Sequence, residues 1–266
     1  AVTATGLPEG VDLTSDASAG TFAISGTPTK AGKYKVVVKA TGESSEATLE
    51  GTITVTEPVL LEKIAYFPFE AIDGSTTANE VQGAASVKGS PVLVEGKVGK
   101  ALSLNGTADY LTQEAYQAIQ LGERDFTIET WFRSTDDAAY LFHKGSMAAN
   151  ATTGATGKWT GIELKNGLLK FSVDDNETKS ESNFEAAALF DGNWHHLVCV
   201  RESATGRLKI YADGTLMADA PDSTGDISDN DELMVIGNVN VNFNNFFKGD
   251  FDEFAIYAGA MSANKV

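Results

Sequence analysis

The chain has 266 residues, of which 42% are hydrophobic and 26 are glycine, and its formal net charge is −17. Such a charge repels phosphate backbones and anionic lipid surfaces, which argues against nucleic-acid and membrane partners. No run approaches the roughly 20 apolar residues of a membrane-spanning helix, and no leader pattern opens the chain, so we expect the mature form of a secreted or cell-surface protein. The scatter of Val, Ile, Thr, Phe and Tyr between glycines predicts an all-β protein.

Residues 1–57 alternate in the manner of β-strands. In KYKVVVKA, Tyr34, Val36 and Val38 alternate with lysines, which is typical of a strand with one buried face. The strings GLPEGVDL and GTFAISGTPTKAGKYKVVVKAT resemble the immunoglobulin-like repeat common in bacterial surface and secreted proteins. This resemblance implies a small β sandwich that acts as a spacer. The family usually begins with further strands, so we expect this domain either to be truncated at its start or to continue upstream in the natural protein.

The segment Thr56-Glu57-Pro58 is the predicted boundary, because proline removes a ladder donor and restricts the residue before it. A second domain over residues 60–266 then holds many short strand candidates separated by turn signals, which favours a sandwich or jelly roll. Asp213-Gly214 is a two-residue hairpin signal. We expect one helical turn between Gln113 and Gln120.

Six motifs of the second domain follow a fixed order, namely IAYFPFE, GKVGKALSLNGTADYL, DFTIETWFR, DGNWHHLVCVRE, LKIYADG and FFKGDFDEFAIYAGAMS. Together they resemble the laminin-G-like and pentraxin-like branch of the concanavalin A-like lectin/glucanase sandwiches. The resemblance covers about residues 62–262 and implies a jelly-roll β sandwich.

Carboxylates in the last motif are the candidates for catalysis. Hydrolysis of a glycosidic bond needs two carboxyl groups that face each other across the bond. Adjacent strand residues point to opposite faces, so we expect Asp252 and Glu253 not to form such a pair. The Glu-x-Asp-x-x-Glu string of the related glucanases is missing, and so is a G-x-S-x-G elbow. The sequence therefore predicts a protein that is not an enzyme.

The resemblance also implies a structural calcium ion where the first and last strands meet. Carboxylate and amide oxygens are the ligands that calcium prefers. By motif, Asp252 fits the final strand, Glu70 or Asp73 the segment after the opening strand, and Asn105 or Asp109 the loop that follows GKALSL. The alternative is that these residues only cap turns or lie on the surface.

Sugar binding needs an exposed aromatic ring beside hydrogen-bonding amides. GATGKWTG offers Trp159, and NVNVNFNNFFKG offers Phe243 with Asn242 and Asn244. We assign Trp131 and Trp194 to the core, and His195 and His196 to structural roles on opposite faces of one strand.

These features predict a non-catalytic binding protein of a bacterial cell surface or secreted complex. It recognises carbohydrate or a glycosylated partner through the lectin-like domain, and calcium stiffens the site. Two alternatives stay open at this point. The chain is a structural or adhesion spacer of a larger surface protein, or it is a glycoside hydrolase or lyase that uses the same sandwich.

Overall fold

A computed structural model describes residues 1–55, 61–136, 138–147, 155–228, 233–241 and 243–266. The chain divides into two compact units, Ala1–Leu60 and Leu61–Val266. The predicted boundary at residues 56–58 lies outside the described residues. The described elements are strands and two short 3-10 helices, which confirms the all-β prediction. No helix in the described part of the chain is long and apolar enough to cross a membrane.

Over residues 1–55, the first unit contains five strands in two sheets. β4 lies between β1 and β5, and β2 pairs with β3 as a separate hairpin. Val36 and Val38 of β4 are buried, as their alternation with lysines predicts. The assignment of this unit to the immunoglobulin-like repeat stays a prediction. The strands are β1 Val2–Thr5, β2 Val11–Asp16, β3 Thr21–Gly26, β4 Gly32–Thr41 and β5 Glu46–Val55.

The described residues of the second unit form two sheets of eight strands each. Its elements are β6 Glu62–Phe67, β7 Thr76–Ala78, β8 Ala84–Lys88, β9 Val92–Glu95, β10 Lys100–Asn105, β11 Tyr110–Gln113, the 3-10 turn Gln117–Ile119, β12 Phe126–Arg133, β13 Ala139–Gly145, β14 Lys158–Lys165, β15 Leu168–Asp175, β16 Lys179–Glu185, the 3-10 turn Ala187–Leu189, β17 His195–Glu202, β18 Arg207–Ala212, β19 Thr215–Pro221, β20 Met234–Ile236 and β21 Lys248–Ala258.

The two sheets are named here after a central strand of each. The β21 sheet has the order β19-β18-β17-β12-β21-β10-β9, and β6 pairs with the second half of β21. The β14 sheet has the order β16-β15-β14-β13-β20-β11-β8-β7. The strand pairs of the described residues are antiparallel, and the second unit forms the jelly-roll type of β sandwich that the motifs predict.

The core of the second unit lies between its two sheets. Phe126 of β12 meets Phe171 of β15 edge to face at 6.1 Å, and Phe142 of β13 meets Phe254 of β21 at 5.4 Å. All four rings are at most 1% exposed. Each buried phenylalanine contributes roughly 1.5 to 3 kcal/mol of transfer free energy, so these contacts hold the sheets face to face.

Local turn chemistry fixes the hairpin between β18 and β19. Asp213 and Gly214 both have positive φ, 49° and 76°, which is the conformation of a type I′ turn. Ala212 pairs with Thr215 across them. The hairpin prediction is confirmed, and so is the helical turn, which the structure has at Gln117–Ile119.

Candidate functional site

Asp252 lies under the tight turn that joins β9 to β10. Its side chain is fully buried, and its Oδ2 accepts a hydrogen bond of 2.8 Å from the backbone N–H of Val98. Its Oδ1 has no hydrogen-bond partner among the residues that the structure describes. Burial raises the pKa of Asp252, and backbone N–H groups of Val98 and Lys97 oppose that shift. The turn therefore covers a carboxylate with one unused oxygen.

Glu70 reaches the same turn from the segment that follows β6. Its Oε2 accepts a hydrogen bond of 3.1 Å from the backbone N–H of Lys100. The turn closes through a bond of 3.0 Å from Gly96 N to Gly99 O. Gly99 has φ of 53°, and a Cβ there would meet the carboxylate of Glu70, so a larger residue would strain the backbone and displace Glu70. Two of the five predicted metal ligands thus converge on one turn.

The other three predicted metal ligands lie elsewhere. Asn105 Oδ1 accepts bonds from Thr107 N at 2.8 Å and Ala108 N at 3.0 Å, which is a turn cap. Asp109 is buried and accepts from Ser90 N at 2.7 Å and Asn105 N at 3.1 Å. Asp73 forms an isolated bridge with Thr76.

These contacts match the alternative interpretation of Asn105 and Asp109 as turn-capping residues. Within the described ranges, no three His, Cys, Asp or Glu side chains are grouped so as to hold a metal ion. Whether Asp252 and Glu70 bind calcium with backbone carbonyls stays a prediction.

A β-bulge changes the faces of the two adjacent carboxylates. Between Glu129 and Trp131 the pairing of β12 with β21 shifts, so that Glu253 and Phe254 both oppose Thr130. Glu253 has φ of 50° at this bulge. The expectation that Asp252 and Glu253 point to opposite faces is therefore wrong. Asp252 pairs with Trp131, and both carboxylates lie on the face of the β21 sheet that points away from the core.

Trp159 is not an exposed aromatic ring, and that prediction is wrong. The side chain is 3% exposed, its Nε1 donates to Thr156 Oγ1 at 3.0 Å, and its ring stacks on His143 at 5.3 Å. The reason is that Trp159 belongs to interior strand β14, where Gly161 leaves room for both rings. Burial lowers the pKa of His143 to about 3.

The asparagine-rich loop before β21 is partly packed. Phe243 is half-buried and stacks on Tyr110 at 5.2 Å, and the exposed Asn244 accepts a hydrogen bond of 3.0 Å from the side chain of Asn245. Asn242 lies outside the described residues. Phe247 is buried against Phe251, as the motif implies.

A cavity of about 330 Å³ lies between this loop and strands β13 and β14. We name it the loop-edge cavity. Its polar lining residues are Tyr140, Glu163, Lys165 and Asn245, and its apolar ones are Ala138, Ala139, Met147, Leu164, Val239 and Val241. Tyr140 pairs with Glu163 across the strands, and burial followed by the charge of Glu163 raises the pKa of Tyr140.

Sequence reasoning found the loop but missed the strand residues of this cavity. Phe243 and Asn244 do not line it, whereas Asn245 of the same loop does. Tyr140 and Glu163 are 23 positions apart and meet only through strand pairing. The alternation within each strand predicts which face Tyr140 and Glu163 lie on. No local sequence pattern predicts that β13 and β14 pair so as to bring the two residues together.

Trp131 and His196 pair with each other on the outer face of the β21 sheet, whereas His195 pairs with the buried Phe132 and points to the other face, as the alternation predicts. Trp131 and Trp194 are only half-buried, so their assignment to the core is wrong. Trp131 stacks on His196, whose Nε2 lies 2.9 Å from Glu129 Oε1. His195 lies between Asp213, at 2.8 Å, and Asp191, at 3.2 Å.

Residues 105–266 match the laminin G type family model of the concanavalin A-like lectin/glucanases superfamily. The match covers more than half of the chain, and the chain therefore belongs to this family. No curated protein matches it.

Solved structures share the fold at low sequence identity. Domain 4 of AbnA, a GH43 extracellular arabinanase from Geobacillus stearothermophilus in complex with arabinotriose, is 18% identical at a TM-score of 0.56 over 77% of this chain and 96% of that chain. The binding domain of Paraclostridial Mosquitocidal Protein 1 is 18% identical, with a TM-score of 0.56 and coverage of 77% and 50%. Botulinum neurotoxin type C, whose cell entry depends on two ganglioside molecules, is 12% identical, with a TM-score of 0.58 and coverage of 76% and 49%. The chain thus spans about half the length of these toxin chains.

Proposed function

We propose that this chain is a non-catalytic carbohydrate-binding protein of a bacterial surface or secreted complex. The observation that carries the proposal is the loop-edge cavity. It combines the apolar side chains of Met147 and Val241 with the carboxylate of Glu163, the ammonium of Lys165 and the amide of Asn245. A sugar has an apolar face for the apolar side chains and hydroxyls that both donate and accept hydrogen bonds, so these groups are complementary to it.

The similar structures support this ligand class. The arabinanase domain is a complex with arabinotriose, and the neurotoxin interacts with gangliosides. Both ligands are carbohydrate or carry it. We extend the class of ligand, and not the particular sugar, to this chain. The first unit acts as a spacer in this proposal.

The test is a glycan array followed by titration calorimetry of the best oligosaccharide. We expect Glu163→Gln and Asn245→Ala to weaken binding about tenfold each, because the first removes the charge that strengthens a hydrogen bond and the second removes the amide, at about 1 to 2 kcal/mol each. The matched control is Asn183→Ala, an exposed amide on β16 that does not line the cavity. If a folded sample binds no glycan, or the two cavity variants bind like the control, the proposal fails.

We also propose a structural calcium ion at the turn between β9 and β10. Asp252 and Glu70 would hold it together with backbone carbonyls of the turn, and the unused, buried Oδ1 of Asp252 fits a ligand to a hard cation. The ion would neutralise the buried carboxylate and tie the turn to β21. It thereby stabilises the native state only.

Thermal unfolding tests the calcium proposal. After removal of metal with EDTA, millimolar calcium raises the Tm of the wild type and leaves that of Asp252→Asn unchanged. Asp12→Asn on exposed strand β2 is the control and responds like the wild type, because Asp12 belongs to the first unit. A wild-type sample with no metal by mass spectrometry and no change of Tm would remove the ion from this site.

A further inference from the structure

A second cavity lies on the face of the β21 sheet that points away from the core. It measures about 180 Å³ and is lined by Lys63, Tyr66, Val98, Glu129, Trp131, Glu253, Ala255 and Tyr257. We name it the Ala255 groove. None of these residues lines the loop-edge cavity, and the groove contains no residue that the family motifs single out for calcium.

The floor of the groove is a small side chain between larger ones. Ala255 pairs with Glu129 of β12 on one side and with Tyr66 of β6 on the other. Along β21, Glu253 and Tyr257 lie two residues away in each direction and point to the same face. Because the side chain of Ala255 is only a methyl group, the space between the four larger side chains that surround it stays open.

Two tyrosine–carboxylate pairs form opposite walls of the groove. Tyr257 Oη donates to Glu129 Oε2 at 2.7 Å, and Tyr66 Oη donates to Glu253 Oε2 at 2.7 Å. Burial alone would raise the pKa of Glu129, but hydrogen bonds from His196 and Tyr257 outweigh it and lower that pKa. These bonds hold the carboxylates in fixed orientations before any ligand arrives.

The backbone at Glu253 supports a role beyond packing. Its φ of 50° is in the left-handed region, which side chains other than glycine, asparagine and aspartate adopt rarely. Such conformations persist where the surroundings hold them, and they cluster at binding sites. Without the bulge, Glu253 would point into the core and the groove would lose one wall.

Charge decides which ligand fits. Lys63 Nζ lies 3.5 Å above the ring of Tyr66, and Lys97 Nζ lies 4.2 Å above the ring of Trp131. These ammonium groups cover aromatic faces that would otherwise attract a cationic ligand, and they balance the charges of Glu129 and Glu253. A neutral ligand rich in hydroxyls gains most, because each hydroxyl donates to a carboxylate or accepts from a lysine.

We propose that the Ala255 groove is a second saccharide-binding site, which takes one neutral sugar residue independently of the loop-edge cavity. The proposal shares only its class of ligand with the proposed function. The two sites lie on different sheets, so either one binds without the other.

The experiment uses the full chain labelled with nitrogen-15 and follows its three tryptophan indole signals by NMR. The probe is a pool of L-arabinose, D-galactose, D-glucose and D-mannose at about 50 mM each, which loads a site of millimolar Kd. We expect the signal of Trp131 to shift on addition of the pool. Titration with each sugar alone then identifies the component that binds.

Two variants test where the sugar binds. Ala255→Leu fills the floor of the groove, and Glu253→Gln keeps the size of the side chain but removes its charge. We expect both variants to weaken the sugar affinity measured from the Trp131 signal about tenfold or more. Ala23→Leu on exposed strand β3 is the control for an added leucine, and Glu163→Gln is the control at the loop-edge cavity. Both controls keep the Trp131 response.

The outcomes separate the two proposals. A Trp131 signal that no sugar moves in the folded wild type overturns the groove proposal, even if the glycan array is positive. A response that persists in Glu253→Gln and in a folded Ala255→Leu overturns it too. A groove response that survives while Glu163→Gln leaves oligosaccharide affinity unchanged supports the groove and counts against the loop-edge cavity.

Discussion

The two outer faces of the lectin-like unit each carry a tryptophan stacked on a histidine. On the β14 sheet, Trp159 stacks on His143 with ring centroids 5.3 Å apart and an interplanar angle of 23°. On the β21 sheet, Trp131 stacks on His196 at 4.8 Å and 28°. The local geometry of the two pairs is nearly the same, and their surroundings are opposite.

The pair on the β14 sheet is covered. Trp159 is 3% exposed and His143 is 0% exposed, and neither ring nitrogen of His143 has a hydrogen-bond partner in the part of the chain that the structure describes. The pair on the β21 sheet is half-buried, and His196 bonds to Glu129 at the edge of the Ala255 groove. The two stacked pairs therefore differ in their surroundings and not in their own geometry. The residues that lie over each sheet determine whether the pair is buried or borders a cavity.

Truncation of the two tryptophans is the strongest test of this difference. Trp159→Ala removes a buried ring and should lower the free energy of unfolding by about 3 to 5 kcal/mol. Trp131→Ala should lower it by about half as much, because that ring is already partly in water. Urea unfolding of both variants measures the two values. Equal losses would contradict the contrast between the faces.

The pH dependence of stability tests the burial of His143. Its pKa falls from 6.5 to about 3 on folding, so the unfolded chain binds a proton that the native chain refuses, and this contribution to stability is lost as the pH drops from 6.5 toward 3. The difference in free energy of unfolding between His143→Leu and the wild type should therefore shift in favour of the variant by about 3 kcal/mol between neutral pH and about pH 4.

Urea unfolding at several pH values checks this shift. Trp159→Phe is the control, because it keeps His143 covered and should retain the acid sensitivity of the wild type. If His143→Leu loses stability in acid as steeply as the wild type does, the histidine is not the buried group that drives the loss.

The strands and the hairpin follow from local chemistry. The period-two alternation and the Asp213-Gly214 turn depend only on residues near in sequence, which is why both are predictable. The caps of Asn105 are local in the same way, since its partners Thr107 and Ala108 lie within three residues. The prediction that Glu70 and Asp252 lie close together depended on the family resemblance and not on their spacing in the sequence.

What the sequence did not reveal depends on register between distant strands. The bulge at Glu253 exists because β12 shifts by one residue against β21, and nothing within DFDEFAIY requires that shift. The cavity pair Tyr140 and Glu163 depends on pairing in the same way. The burial of Trp159 depends on residues such as His143 on a neighbouring strand, which the alternation within one strand cannot predict.

His195 carries the smallest predicted effect and the opposite sign to His143. Burial lowers the pKa of His195, but hydrogen bonds with Asp213 and Asp191 outweigh it and raise that pKa. The resulting stability is present below the unfolded value of 6.5 and is lost as the pH rises through the folded value. At about pH 5.5, His195→Gln should be less stable than the wild type by about 0.5 kcal/mol, and at about pH 8.5 the two should match, because such ion pairs at the surface are weak. Thermal unfolding at both pH values measures the difference, and a loss that grows toward high pH would reverse the sign assigned to this histidine.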